Sequence, residues 1–160
     1  MRQLVFDKNF CATYSGAEML RQIEKEDFDT LHNVYSVFSD LQLYYAVYCE
    51  MKSKKGNMTP GIDGVTLDGV HKGFFEKLRQ EMVSEQYQPQ PTKHVYIPKS
   101  NGKTRSLGLP SIKDKIIQSI LNKLLTSIYE KRFNNRSHGY RLGRGCYTIA
   151  KSLRSWFGIS

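Results

Sequence analysis

The sequence predicts an α+β fold in which several helices surround one short antiparallel β-hairpin. Three observations lead there. Apolar residues recur at helical spacing in three long segments. Two short β-prone runs flank Asn101-Gly102, a strong local signal for a two-residue hairpin turn. No repeated strand–helix–strand alternation, the mark of a parallel sheet, is present.

Residues 1–26 carry no firm pattern and are expected to form an N-terminal extension, with a short helix around Ala17–Lys25. The domain proper is expected over 27–160. Asp27 and Asp29 suit a helix start. Leu31, Val34, Tyr35, Phe38, Leu41, Tyr45 and Tyr48 follow at helical spacing, so one long helix should run to about Lys54 and end at Gly56 and Pro60. Its tyrosines read as core residues rather than base-stacking groups.

Lys52–Gly64 is then a glycine-punctuated basic loop. Val70, Phe74, Leu78 and Met82 recur every fourth residue and predict a second amphipathic helix. Gln88-Pro-Gln-Pro-Thr92 breaks it and leads into extended chain. Lys93–Pro98 and Thr104–Leu109 are the strands, kept short and edge-like by Pro98 and Pro110. Ser111, with Asp114 three residues on, reads as a helix N-cap. Ile112, Ile116, Ile120, Leu124 and Ile128 mark a third helix ending near Arg132. Ile117, Leu121 and Leu125 widen its apolar face, so it is expected to be buried centrally. A loop over Ser137–Gly145 precedes a last helix from about Cys146 to Trp156.

A hydrophobic content of 39% over 160 residues supports one modest core. There is no run of 18 apolar residues, so no membrane span is expected. The start, Met-Arg-Gln-Leu-Val-Phe-Asp-Lys, resembles neither a signal peptide nor a transit peptide, so an organellar protein that begins this way would be made inside the organelle. Cys11, Cys49 and Cys146 are far apart and lack metal-ligand spacing, and they read as reduced thiols in a reducing compartment. No metal or cofactor site is read.

Net charge is +9 with a pI near 9.5, and its distribution says more than its total. From Tyr87 to Lys113 there are five basic residues and no acidic one; from Lys131 to Ser160 there are seven, again with none acidic. Charge segregated in this way favours one electropositive face, the footprint of a phosphate-backbone binder.

Lys99, Lys103 and Arg105 gather at the hairpin tip, where Lys supplies point charge and Arg a bidentate fork for phosphate. Lys52, Lys54 and Lys55 stand in the glycine loop, with Lys93 and Lys113 at the two ends of the hairpin segment. Asn134–Arg144 alternates Arg136, Arg141 and Arg144 with Gly139, Gly143 and Tyr140, offering backbone N–H groups and a stacking ring. Lys151 and Arg154 continue the basic stretch. His138 stands without a nucleophile or base and reads as a hydrogen-bonding residue.

Three motifs, in order and spacing, resemble the first blocks of the group II intron-encoded reverse transcriptases, the intron maturases. They are Thr59-Pro-Gly-Ile-Asp-Gly-Val65, Val95–Pro110, and Ser137-His-Gly-Tyr-Arg-Leu-Gly-Arg144. The resemblance runs from about Phe38 to Trp156 and implies the fingers part of such an enzyme, with palm and thumb absent from these residues. By resemblance, Lys99 and Arg105 correspond to fingertip residues that meet the triphosphate of the incoming nucleotide. The Lys54–Gly64 loop corresponds to one lying over template RNA, and the Arg141–Arg144 turn to a template-side element. Ser106 and Leu142 stand where the family usually has Pro, and Gly145 where it usually has Ser.

The family's metal-binding carboxylates lie beyond the matching part. The seven Asp residues here, at 7, 27, 29, 40, 63, 68 and 114, include no adjacent pair, while two-metal phosphoryl transfer needs carboxylates holding ions about 3.5–4 Å apart. The expectation is therefore a chain that is not an enzyme by itself. It would be a non-catalytic RNA-binding protein in a large organellar ribonucleoprotein such as a mitochondrial ribosome, with structured RNA and other protein subunits as partners. The alternative is the N-terminal piece of a split reverse transcriptase or maturase, completed by a palm-bearing chain and acting in intron splicing or DNA synthesis on RNA. A fragment with no function of its own is a third reading. Only four Ala residues, at 12, 17, 46 and 150, point to an AT-rich genome such as a mitochondrial one.

Overall fold

The computed structural model describes residues 34–54 and 58–158. The expected extension over 1–26, the helix start at Asp27 and Asp29, and Lys55 lie outside the described residues. A 3-10 helix, Val34–Ser39, opens the described part. It is followed by α1 (Leu41–Lys52), a 3-10 turn (Leu67–Gly69), α2 (Lys72–Val83), β1 (Lys93–Pro98), β2 (Thr104–Leu109), α3 (Ile112–Tyr129) and α4 (Cys146–Phe157). The α+β composition with a two-stranded antiparallel sheet is as the sequence predicts.

The single long helix expected to run to Lys54 is instead broken at Asp40. That residue is extended (φ −81°, ψ 101°) and its carboxylate accepts the Gln42 N–H at 2.9 Å, which caps α1 afresh. Apolar periodicity runs across this break, because Val37 and Phe38 of the 3-10 helix and the buried residues of α1 enter the same core.

The core joins α1, α2 and α3. Tyr44, Tyr48 and Phe75 are fully buried among Leu43, Leu67, Leu78, Ile112, Ile116 and Ile120. Phe75 meets Tyr45 and Tyr48 edge-on, with ring centroids 5.1 and 5.4 Å apart. Hydroxyls that would otherwise be buried unpaired reach backbone: Tyr44 Oη donates to Phe38 O at 2.9 Å and Tyr48 Oη to Leu67 O at 3.2 Å. Outside this core, the half-exposed Tyr35 donates to Met82 O at 2.6 Å. The α1 tyrosines are core residues.

Helix α3 buries Ile112, Ile116, Ile117, Ile120 and Leu124, at roughly 1.5–3 kcal/mol each. Leu121 and Leu125, expected inside, are 38% and 49% exposed, so only one face of the helix is covered among the described residues. Helix α4 buries nothing. Its attachment rests on polar and cation–π contacts worth about 0.5–1.5 kcal/mol apiece, and α3, not α4, organises the fold. Cys49 is disulfide-bonded, which departs from the expectation of three reduced thiols, and Cys146 is free and exposed.

Candidate nucleic-acid interface

β1 and β2 pair from Lys93↔Leu109 to Pro98↔Thr104, with Ile97 opposite Arg105. The turn is one residue longer than the Asn-Gly dipeptide predicts. Gly102 N–H donates to Lys99 O at 3.1 Å and Lys99 N–H to Lys103 O at 2.6 Å, leaving Ser100-Asn101-Gly102 as the loop. Gly102 has φ +77°, the left-handed residue that closes a three-residue hairpin loop. Asn101 Oδ1 accepts the Lys103 N–H at 3.2 Å. Lys99 and Lys103 therefore face each other across the loop mouth, with Arg105 further back. All three are exposed, and none has an ion-pair partner among the described residues.

The arm is held at its root. Asp114 is 3% exposed. Its carboxylate accepts the Tyr87 hydroxyl, the Gln90 N–H at 3.1 Å and the Ser111 hydroxyl at 2.7 Å. Both chain segments leading to the hairpin are thus pinned to the first turn of α3. Burial first, and the Asp114 contact next, push the Tyr87 hydroxyl pKa up, which keeps it a donor. Lys113, assigned to RNA from the sequence, pairs here with Glu81 and lies over the Tyr87 ring at 5.1 Å. Its charge is spent on the fold.

The glycine loop docks on the same root. A Cβ on Gly61 would stand 2.7 Å from Pro110 O and from Ser111 Cα, so only glycine fits. Lys115 Nζ donates to Thr59 O at 2.7 Å, and burial lowers its pKa. Lys54 is exposed, whereas Lys52 lies near Asp68 at 3.6 Å and over the Tyr48 ring at 5.9 Å. Lys93, at the start of β1, is exposed.

Between α3 and α4 the chain turns around Arg141. Its side chain is 6% exposed. Nε and Nη2 donate to one Glu130 oxygen at 3.0 and 2.6 Å, and Nη1 donates to Asn134 O and Ser137 O, each at 3.0 Å. The guanidinium also lies over Phe133 at 5.2 Å. Arg144 donates to Asn135 O at 2.6 Å, and Arg136 sits over Trp156 at 5.4 Å. His138 Nδ1 meets Thr148 Oγ1 at 2.9 Å, and that hydroxyl oxygen also accepts the Gly145 N–H at 2.8 Å, tying the loop to the first turn of α4. Lys151 and Arg154 are exposed on α4, and Tyr140 projects fully into solvent.

The sequence-predicted cations thus divide. Lys54, Lys93, Lys99, Lys103, Arg105, Lys151 and Arg154 are exposed; Lys52 and Arg136 are exposed too but lie near Asp68 and over Trp156, while Lys113, Arg141 and Arg144 are half-buried and held by acceptors within the fold. Sequence reasoning missed the acceptors that position them, Asp114 and Glu130. The sequence marks Asp114 only as a cap partner, and Glu130 stands one residue before the acid-free stretch that begins at Lys131.

Among the described residues no group of three or more His, Cys, Asp or Glu side chains could hold a metal ion, and no helix is long and apolar enough to cross a membrane. Fold and site together define an α+β module that displays cations on a hairpin and at two further places.

The chain is 36% identical over 144 residues to the group II intron-encoded protein LtrA of Lactococcus lactis subsp. cremoris, a match covering 85% of this chain and 24% of that protein. It is 34% identical over 129 residues to the putative COX1/OXI3 intron 1 protein of Saccharomyces cerevisiae, covering 81% and 16%. A shorter match, 34% over 61 residues, covers 36% of this chain and 9% of nuclear intron maturase 1, mitochondrial, of Arabidopsis thaliana. No family model matches. The chain is a relative of the group II intron-encoded proteins, as its three motifs indicate. It spans about a quarter or less of the length of the curated relatives it matches. Those relatives come from both bacteria and eukaryotes.

Proposed function

We propose that this chain is the RNA-gripping fingers part of an intron-encoded protein, binding structured RNA of the intron kind through the hairpin tip and the basic loop beside its root. The observation that carries this is the exposed, carboxylate-free trio Lys99, Lys103 and Arg105 on an arm fixed at its base by Asp114. Kinship with intron-encoded proteins supports intron RNA as the ligand class. The trio binds and positions RNA, while two-metal phosphoryl transfer requires paired carboxylates, which these three residues do not supply. The chain works with other protein surfaces in a ribonucleoprotein, in an organellar setting that the mitochondrial relative and the Ala-poor composition support.

A salt titration of the purified chain on a folded intron-domain RNA tests the reading. Affinity is expected to fall at least about a hundredfold between roughly 50 and 200 mM salt, as contact with several phosphates demands. A flat response overturns it. Primer extension on an RNA template with Mg²⁺ is expected to give no product, and robust extension would refute the non-catalytic part.

A further inference from the structure

Tyr140 is held in an unusual way. It has φ +56°, in the left-handed region that costs a residue with a Cβ about 1–2 kcal/mol. Its ring is buried against nothing, with 114% relative exposure. The next residue is its opposite. The Arg141 side chain is 6% exposed and bonded to Glu130, Asn134 O and Ser137 O. A turn then follows, closed by Arg144 N–H to Arg141 O at 3.2 Å with Gly143 at φ +70°. The loop is thus locked from within by one guanidinium and carries an aromatic ring at its apex. Backbone strain of this kind persists only where the surroundings over-determine it, and the Arg141 contacts do that here.

We propose that Tyr140 is a stacking platform for an unpaired base in the bound RNA, and that Arg141 is a positioning residue for it rather than a phosphate contact. The inference rests on the RNA-binding reading above and deepens it by naming the ligand feature. A ring with both faces open accepts any base by stacking, provided that base is out of a duplex. The neighbourhood suits the backbone beside such a base, since the exposed Lys131, Lys151 and Arg154 flank the ring in sequence within an acid-free stretch from Lys131 to Ser160. A pre-set loop loses little freedom on binding, which favours a defined contact.

The test uses two RNAs, a hairpin with a single 2-aminopurine bulge and its fully paired counterpart, with the full chain and its variants. Wild type is expected to prefer the bulged RNA and to quench the 2-aminopurine. Tyr140→Ala should weaken bulged-RNA binding by about 5- to 150-fold, abolish the quench and leave paired-RNA binding unchanged. Tyr140→Phe should retain both signals. Arg141→Gln should lose the quench with the salt slope intact, whereas a slope reduced by about one would make Arg141 a phosphate contact and overturn its assigned role. Wild type that binds both RNAs alike, with Tyr140→Ala indistinguishable, overturns this inference alone. A chain that binds neither RNA overturns the RNA reading with it.

Discussion

Arg141 and Glu130 are joined through two guanidinium N–H groups on a single carboxylate oxygen, at 3.0 Å from Nε and 2.6 Å from Nη2. The hydrogen bond from Arg141 is the main reason the Glu130 carboxyl is held below the usual carboxylate range. A carboxyl with a depressed folded-state pKa gives stability that is complete above its unfolded value. That stability is lost as pH falls through the lower folded value. The loop should therefore be unchanged at neutral and mildly acidic pH and open only as pH falls below the ordinary glutamate range. Trp156, the only tryptophan, carries Arg136 on its ring and reports the loop by fluorescence. Glu130→Gln should show the open-loop signal at neutral pH with no acid step. A wild-type transition centred above pH 5 would contradict this account.

Each exposed cation at the hairpin tip should act as one phosphate contact. Single Ala replacements of Lys99, Lys103 and Arg105 are expected to lower the salt slope of RNA binding by about one each. Lys113→Ala should leave the slope alone and reduce stability, because that ammonium pairs with Glu81 and lies over Tyr87. Equal slope changes from all four would mean that net charge, not placement, governs binding.

Asp114 is the most sensitive point of the arm. Removing its carboxylate leaves the Tyr87 hydroxyl, the Gln90 N–H and the Ser111 hydroxyl without their acceptor in a partly dry site. Asp114→Ala is expected to cost about 2–4 kcal/mol in urea unfolding, and Asp114→Asn less, since the amide keeps one acceptor oxygen. A loss under about 0.5 kcal/mol, typical of a surface change, would show that the hairpin root is held by something else.

Two glycines should respond differently to alanine. At Gly61 the added carbon meets the backbone of Pro110 and Ser111 at 2.7 Å, and backbone cannot step aside cheaply. The expected cost is about 1–3 kcal/mol. At Gly108 the close atom is Thr92 Cγ2 at 2.8 Å, the end of a side chain that can rotate, so Gly108→Ala should be near neutral by thermal unfolding. Reversed outcomes would misplace the loop's docking surface.

Much of this fold was legible in the sequence because short-range rules govern it. The bounds of β1 and β2, the Ser111 cap and the α2 stripe follow from turn residues, capping pairs and period. The break at Asp40 was hidden because periodicity does not register a change of helix type. The hairpin loop is one residue longer than Asn-Gly predicts, since that dipeptide also fits a three-residue loop with glycine in the left-handed position. The engagement of Lys113 and Arg141 was invisible for another reason. Their acceptors lie 32 and 11 positions away, and windowed charge tallies separate a cation from a distant carboxylate. The exposed cations follow from composition alone, and the scaffold aiming them does not.

The bond from Lys115 to Thr59 spans 56 positions, and the Gly61 contact beside it spans a similar length. Everything between, including α2 and both strands, lies inside a noose drawn shut at one knot. Tying it costs roughly 3–4 kcal/mol of chain entropy whatever sits at the tip. Local helices and the hairpin can thus assemble early, while the arm acquires a fixed bearing only when the knot closes. Changes at Gly61, buried at the knot, should consequently slow refolding more than changes at the exposed Lys99.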